Sequence, residues 1–154
     1  MSVARLRERA PSATFVAVAG LFSHRLKLHK SSKDGSAKCD AASTGYSGDC
    51  VIGVVFEIAE AEKPVLDRKE DLGSGYEEKD VEVVTPDGQI LRPRMYYATD
   101  IDPSLRPYHW YKRHVLIGAR ENNLPAEYIE HIEAIEAIDD PDKQRCSREI
   151  AIYR

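Results

Sequence analysis

Apolar runs dominate the first third of the chain, and their spacing predicts β-strands. Residues 14–22, "TFVAVAGLF", form a strand-like run, and residues 24–29, "HRLKLH", alternate with the period of two that is typical of a strand. Residues 50–58, "CVIGVVFEI", are apolar on both faces, which predicts a central strand. Residues 30–49 hold almost no large apolar side chain, so we expect a long loop there, of a length that is often functional.

Turn signals organise the middle of the chain. A short helix is predicted after residue 58, and it ends near Glu70, shortly before the flexible sequence "GSG" at 73–75. The segments "YEEKDVEVVT" and "QILRPRMYYAT" lie on either side of Pro-Asp-Gly at 86–88. Two β-type runs around such a turn predict a hairpin.

Helical patterns occupy both ends of the chain. Residues 2–9 predict a short polar helix that Pro11 ends, and Pro125 suits the first turn of a late helix. The tail beyond Asp139 is polar and weakly patterned. The apolar faces of the two later helices are predicted to be formed by Tyr108, Tyr111, Val115 and Ala119, and by Tyr128, Ile132 and Ile135.

These elements predict one domain of the α+β class. Strands outnumber helices and do not alternate with them as βαβ units, which favours a mixed or mostly antiparallel sheet, or a small barrel, with helices packed outside. A chain of 154 residues is long enough to bury a single core. We therefore expect residues 1–154 to form a single domain.

Composition and charge narrow the possible partners and the compartment. The net charge of -4 argues against a nucleic-acid surface, and the basic segment "RLRER" (5–9) has the spacing of an ordinary solvated helix. The sequence has no run of about 18 apolar residues, so it predicts no membrane span. Three widely separated cysteines, Cys39, Cys50 and Cys146, show neither disulfide nor zinc spacing, so we expect a reduced, cytoplasmic protein.

Motifs that would hold a metal or a cofactor do not appear. None of the five histidines has metal-ligand spacing, and we find neither a Gly-x-Ser-x-Gly elbow nor a glycine-rich nucleotide motif. We expect no metal and no cofactor. Glu70 alone would be typical of a solvated helix end, yet it lies between Asp67 and Asp71 at the negative end of the helix dipole. That environment favours the protonated form of a carboxyl group.

An ordered set of segments carries a family resemblance. In order along the chain these are "VIGVVFEI", "LDRKEDLGSGY", "DVEVVTPDG" and "DPSLRPYHWYKRHVLIGARENNLPAEYIEHI". The chain resembles the gamma-glutamylcyclotransferase family and its AIG2-like relatives from about residue 2 to about residue 138. The resemblance implies a small mixed, mostly antiparallel β-barrel with flanking helices.

The resemblance also implies a reaction and a site. Such enzymes cyclise a small gamma-glutamyl amide, whose alpha-amine attacks its own gamma-carbonyl and releases 5-oxoproline and a free amine or amino acid. The family's catalytic acid–base is the Glu of its Leu-Asp-x-x-Glu segment, which is Glu70 here. Tyr76 and Tyr111 match tyrosines near the substrate, and Gly73 and Gly75 allow the turn that brings Tyr76 to the cavity.

Two departures from the family pattern leave alternatives open. The family opens with a strand that ends in Tyr-Gly-Ser-Asn and holds the substrate, whereas this sequence begins with "MSVARLRER", which resembles the segment after that turn. Met1 would then be an internal methionine or the start of a shortened relative. Such a chain is expected to fold but to be nearly inactive, and to have an exposed sheet edge that favours a homodimer. The second departure is Asp71, where the family usually has glycine. The alternatives are a silent binding protein and an enzyme for a different gamma-glutamyl amine.

Overall fold

The computed structural model describes residues 2–153, so Met1 and Arg154 lie outside the described residues. The prediction that Met1 is an internal methionine or the start of a shortened relative therefore also falls outside them. The described chain contains short helices at both ends and a central block of strands. The α-helices are α1 (Val3–Arg7), α2 (Lys63–Lys69), α3 (His109–Glu121), α4 (Ala126–Glu133) and α5 (Lys143–Ala151), and a 3-10 turn (Glu60–Glu62) precedes α2. The strands are β1 (Thr14–Phe22), β2 (His24–Ser31), β3 (Ala37–Ser43), β4 (Cys50–Glu57), β5 (Tyr76–Asp80), β6 (Val83–Val84), β7 (Ile90–Leu91) and β8 (Arg94–Ala98).

The strands form three antiparallel sheets in the described part of the chain. One sheet has the order β4-β1-β6-β7, and β2 pairs with β3 and β5 with β8 in two smaller sheets. The predicted α+β class and the antiparallel pairing are confirmed. The sheets do not close on one another, so the predicted barrel is an open arrangement with a cavity between the sheets.

Two predictions about strands were wrong. The loop expected over residues 30–49 contains the end of β2 and all of β3, whose small and polar side chains, "AKCDAAS", hid a strand that backbone pairing with β2 stabilises. The strand expected to be central, β4, pairs only with β1 among residues 2–153 and lies at the sheet edge. Both of its faces are apolar because Val51 and Val55 pack against one core cluster and Ile52 and Val54 against another.

Helix and hairpin predictions were more successful. The short helix that ends at Glu70 and the hairpin of residues 76–98 are confirmed. Helix α1 ends at Arg7, before the predicted stop at Pro11. The weakly patterned tail forms α5, which is anchored where the buried carboxylate of Asp140 accepts a hydrogen bond of 2.7 Å from Trp110 Nε1. No helix within residues 2–153 is long and apolar enough to cross a membrane.

Candidate active site

A cavity of about 860 Å³ lies between the three sheets and the packed faces of α3 and α4. Residues 51–58 of β4 and the adjoining segment form one wall, and α3 and α4 contribute apolar side chains that pack against β4. Glu70, Tyr76 and Tyr111 all line this cavity, although they belong to three different elements. The structure therefore brings together the three side chains to which the sequence assigned roles.

Glu70 is held at the end of α2 by a buried anchor and by an arginine. Leu66, on the same helix, is buried in a core cluster with Leu6, and the Glu70 N–H donates to the Leu66 carbonyl at 2.9 Å. Arg9 Nη1 donates to Glu70 Oε1 at 2.7 Å, and both side chains are less than a fifth exposed. The second carboxylate oxygen has no hydrogen-bond partner among residues 2–153, so it is available to a ligand.

The turn after Glu70 reverses the chain so that Tyr76 faces the same cavity. Asp71 and Gly73 have φ angles of 52° and 86°, in the left-handed region that disfavours ordinary side chains. Asp71 is tolerated there because short polar side chains visit this region, which also explains how it can replace a glycine. The Gly73 N–H donates to the Tyr76 carbonyl at 2.8 Å and closes the turn. Gly73 and Gly75 contribute backbone geometry, and neither lines the cavity.

The acids on either side of Glu70 form contacts with other side chains. Asp67 accepts hydrogen bonds from Lys63 and Tyr96, which outweigh partial burial and lower the pKa of Asp67. Asp71 forms an exposed ion pair with Lys33 at 3.0 Å. Both acids therefore have lysine partners of their own. The charge in contact with Glu70 is the Arg9 guanidinium.

Tyr76 and Tyr111 bracket the backbone of Cys39 in β3. The Tyr76 hydroxyl donates to the Cys39 carbonyl at 2.6 Å, and the Tyr111 hydroxyl accepts from the Cys39 N–H at 3.0 Å. Burial raises the pKa of Tyr76, with the Glu70 charge as the next cause, and burial raises the pKa of Tyr111 well above its usual value. Both phenols therefore stay protonated at neutral pH.

Sequence reasoning missed the basic side of the site. The segment "RLRER" was expected to be a solvated helix, but Arg5 and Arg9 are largely buried and both line the cavity. Their spacing of four residues was the available signal, because residues four apart share one face of a helix. Lys30 was also missed, although it is 5% exposed and lines the same cavity. No sequence pattern distinguishes it from the exposed lysines nearby.

Comparisons with known proteins identify similar sequences and a similar fold. A model of the AIG2-like family matches residues 50–132. The chain is 35% identical to the gamma-glutamylcyclotransferase of Homo sapiens over 88% of its own length and 73% of the relative, and 33% identical to the Bos taurus enzyme over the same shares. A solved structure of a gamma-glutamyl cyclotransferase superposes with a TM-score of 0.84 at 31% identity, covering 97% of this chain and 92% of the other.

Proposed function

Because the chain belongs to the gamma-glutamylcyclotransferase family, we propose that Glu70 is the general acid–base with which it converts a gamma-glutamyl amide into 5-oxoproline and a free amine. The observation that carries the assignment is a carboxylate with one oxygen bound by Arg9 and the other available, in a cavity that two protonated tyrosines share. Such a group can take up a proton and return it within one reaction cycle.

The proposed steps conserve atoms and protons. Glu70 removes a proton from the substrate's alpha-ammonium group, and the resulting amine attacks the gamma-carbonyl carbon to form a C–N bond and a five-membered ring. Collapse of the tetrahedral intermediate breaks the original amide C–N bond. Glu70 returns the first proton to the leaving nitrogen, and the released amine takes up the second proton, which the ring nitrogen loses when it becomes the lactam N–H, so the enzyme ends the cycle unchanged. General acid–base assistance of this kind is worth about 10²- to 10⁴-fold in rate.

The neighbouring side chains have separate roles in the proposal. Arg9 fixes one oxygen of Glu70, which leaves the other oxygen directed to the substrate. Tyr111 can donate its proton to a substrate oxygen, since its hydroxyl already accepts a bond from Cys39. Tyr76 uses its proton on the Cys39 carbonyl, so it serves mainly as a wall of the cavity and as a support for β3. Gly73 and Gly75 act through the turn that positions Tyr76.

The identity of the products tests this function. Incubated with a gamma-glutamyl amino acid, the protein should release 5-oxoproline and the amino acid in equal amounts. An N-acetylated substrate, whose alpha-nitrogen cannot attack, should be inert and serves as the control. Release of glutamate in place of 5-oxoproline would indicate hydrolysis by water and would contradict the intramolecular reaction.

The apolar wall of the cavity would contact the leaving amine of the substrate. Ile52 and Val54 of β4 and Leu124 and Ile132 near α4 line one side of the cavity. An apolar leaving group would bury surface there and gain about 25 cal/mol per Å². This favours a gamma-glutamyl conjugate of an apolar amine or amino acid as a second candidate substrate. The ratio of kcat/KM for alkyl and charged leaving groups measures that preference.

The proposal also includes the self-association of the protein and its cellular compartment. Strand β1 is paired on both sides, whereas β4 is paired on one side among residues 2–153. We assign a homodimer contact to the free edge of β4, because unpaired N–H and C=O groups along a strand favour pairing with another chain. The three cysteines are free thiols in the structure, which fits a reducing cytoplasmic environment.

A further inference from the structure

One lysine in the cavity is buried without a counter-charge. Lys30, near the end of β2, is 5% exposed and is the only buried lysine or arginine among residues 2–153. No carboxylate within those residues forms an ion pair or hydrogen bond with it. Its ammonium instead lies 4.8 Å from the centroid of the Tyr76 ring. A buried charge without a partner is unfavourable, so this arrangement points to an anionic ligand.

A second lysine of the same sheet, by contrast, has a carboxylate partner. Lys38 is the register partner of Lys30 in the β2–β3 pair, and it also lines the cavity. Its ammonium is bound to the Asp34 carboxylate at 2.7 Å. The charge of Lys38 is therefore compensated within the protein, whereas that of Lys30 is not.

The local backbone aims the Lys30 side chain at the site. A bulge in the β2–β3 pairing at His29 turns Lys30 inward, and the Ser31 N–H donates to the Asp100 carbonyl at 2.9 Å. The side chain then crosses Gly75, where an added Cβ would lie 2.8 Å from both Cε and Nζ of Lys30. The φ of Gly75 is not in the left-handed region, so the effect of a side chain at this position would be to displace the end of the Lys30 side chain.

We propose that Lys30 binds the alpha-carboxylate of the gamma-glutamyl substrate, an inference that rests on the proposed function. The alpha-amine and the alpha-carboxylate are attached to the same carbon atom, so their receptors must lie close together. Glu70 and Lys30 both adjoin Tyr76 in one cavity, which satisfies that requirement. The alpha-carboxylate is present in every gamma-glutamyl amide, whereas a carboxylate on the leaving group is not.

Steady-state kinetics of Lys30→Met test the proposal with two substrates, a gamma-glutamyl amino acid and a gamma-glutamyl alkylamine. We expect KM to rise about 10- to 100-fold for both, with a smaller change in kcat, because a hydrogen bond between charged groups is lost. Lys30→Arg should recover part of the loss. Gly75→Ala, which retains the lysine but takes its space, should also raise KM. The matched control is Lys27→Met, an exposed lysine on the same strand.

The outcomes separate this proposal from the proposed function. If the wild-type protein forms no 5-oxoproline, the function itself is wrong. If the wild-type protein is active and Lys30→Met has an unchanged KM, the assignment of Lys30 is wrong. A rise in KM for the amino-acid conjugate alone would place the leaving group's carboxylate at Lys30 and would also overturn it. Thermal unfolding without ligand adds a readout, because Lys30→Met should be at least as stable as wild type when an unpaired buried charge is removed.

Discussion

Arg9 determines what Glu70 can do, because it is the residue in direct contact with that carboxylate. The contact at 2.7 Å joins two side chains that are 61 positions apart in the chain. Both are largely shielded from water, where charge-assisted hydrogen bonds are stronger than on an open surface. At the scale of the residue, the site is thus a positioned carboxylate in which one oxygen is fixed and the other meets the substrate.

The first prediction is that Arg9→Met lowers kcat/KM by about 10- to 100-fold, since the lost interaction is a hydrogen bond between charged groups. Product formation from a gamma-glutamyl amino acid measures the loss. Arg68→Met removes an exposed arginine of α2 that does not line the cavity, and it should behave like the wild type. Equal activities of the Arg9 and Arg68 variants would show that Arg9 does not contribute to catalysis.

At the scale of the element, helix α5 is attached through a buried histidine of α3. His114 is 3% exposed, and its Nε2 lies 2.9 Å from a carboxylate oxygen of Glu149 while its Nδ1 lies 2.6 Å from the Tyr153 hydroxyl. Arg5 of α1 contacts both His114 and Glu149. Burial opposes the ionised form of Glu149, but His114 and Arg5 outweigh it and lower the pKa of Glu149 to about 2.

The second prediction follows from the sign of that shift. The pKa of Glu149 is lower in the folded state than its ordinary value of 4.5, so its stabilisation is fully present above pH 4.5 and is lost as the pH falls toward about 2. Glu149→Gln should therefore cost about 1–3 kcal/mol at pH 7 and progressively less at lower pH. Urea unfolding at pH 7, 5 and 3 measures the difference.

The control for this prediction is Glu130→Gln, which changes an exposed carboxylate on α4. Its effect on stability should be small at every pH. If the cost of Glu149→Gln were the same at pH 7 and pH 3, the ion pair with Arg5 and the hydrogen bond with His114 would not be the source of the stabilisation.

At the scale of the whole molecule, the cavity exists because the sheets do not close. Residues of β4 line that cavity, and the outer edge of β4 has no strand partner among residues 2–153. The arrangement that leaves room for a substrate therefore also leaves a strand edge available for pairing. Activity and association are consequently expected to share one region of the molecule.

The third prediction is a dimer that grows with concentration and pairs through β4. Sedimentation should show an increasing average mass as the protein concentration rises. Hydrogen exchange should show new protection confined to residues 50–57 in the associated form, because their free N–H groups become bonded. A single monomeric species at the highest concentration would show that this edge is not an interface.

Local signals explain which parts of the molecule the sequence predicts. Helix α2, the hairpin of residues 76–98 and helices α3 and α4 follow from hydrophobic period and turn residues that lie within each segment. Strand β3 has no such pattern, because it is fixed by pairing with β2 and by the Asp40 carboxylate, which accepts from the Ala98 N–H at 2.9 Å. Its existence depends on partners elsewhere in the chain.

The same distinction applies to the candidate site. Glu70, Tyr76 and Tyr111 belong to segments that resemble a known family, so they could be assigned to the site from the sequence. Arg9 and Lys30 could not be assigned, because an arginine or lysine in a polar segment is usually exposed, and only folding shows which of them is buried in a cavity.

The most direct measurement of the central claim compares Glu70→Gln with Asp71→Asn. We predict that Glu70→Gln retains the fold and the affinity for substrate but forms 5-oxoproline at least about 10²-fold more slowly, because the proton shuttle is removed. Asp71→Asn should change turnover by less than about fivefold, since the exposed pair with Lys33 is worth at most about 1 kcal/mol. Near-wild-type turnover by folded Glu70→Gln protein would show that another group transfers the proton.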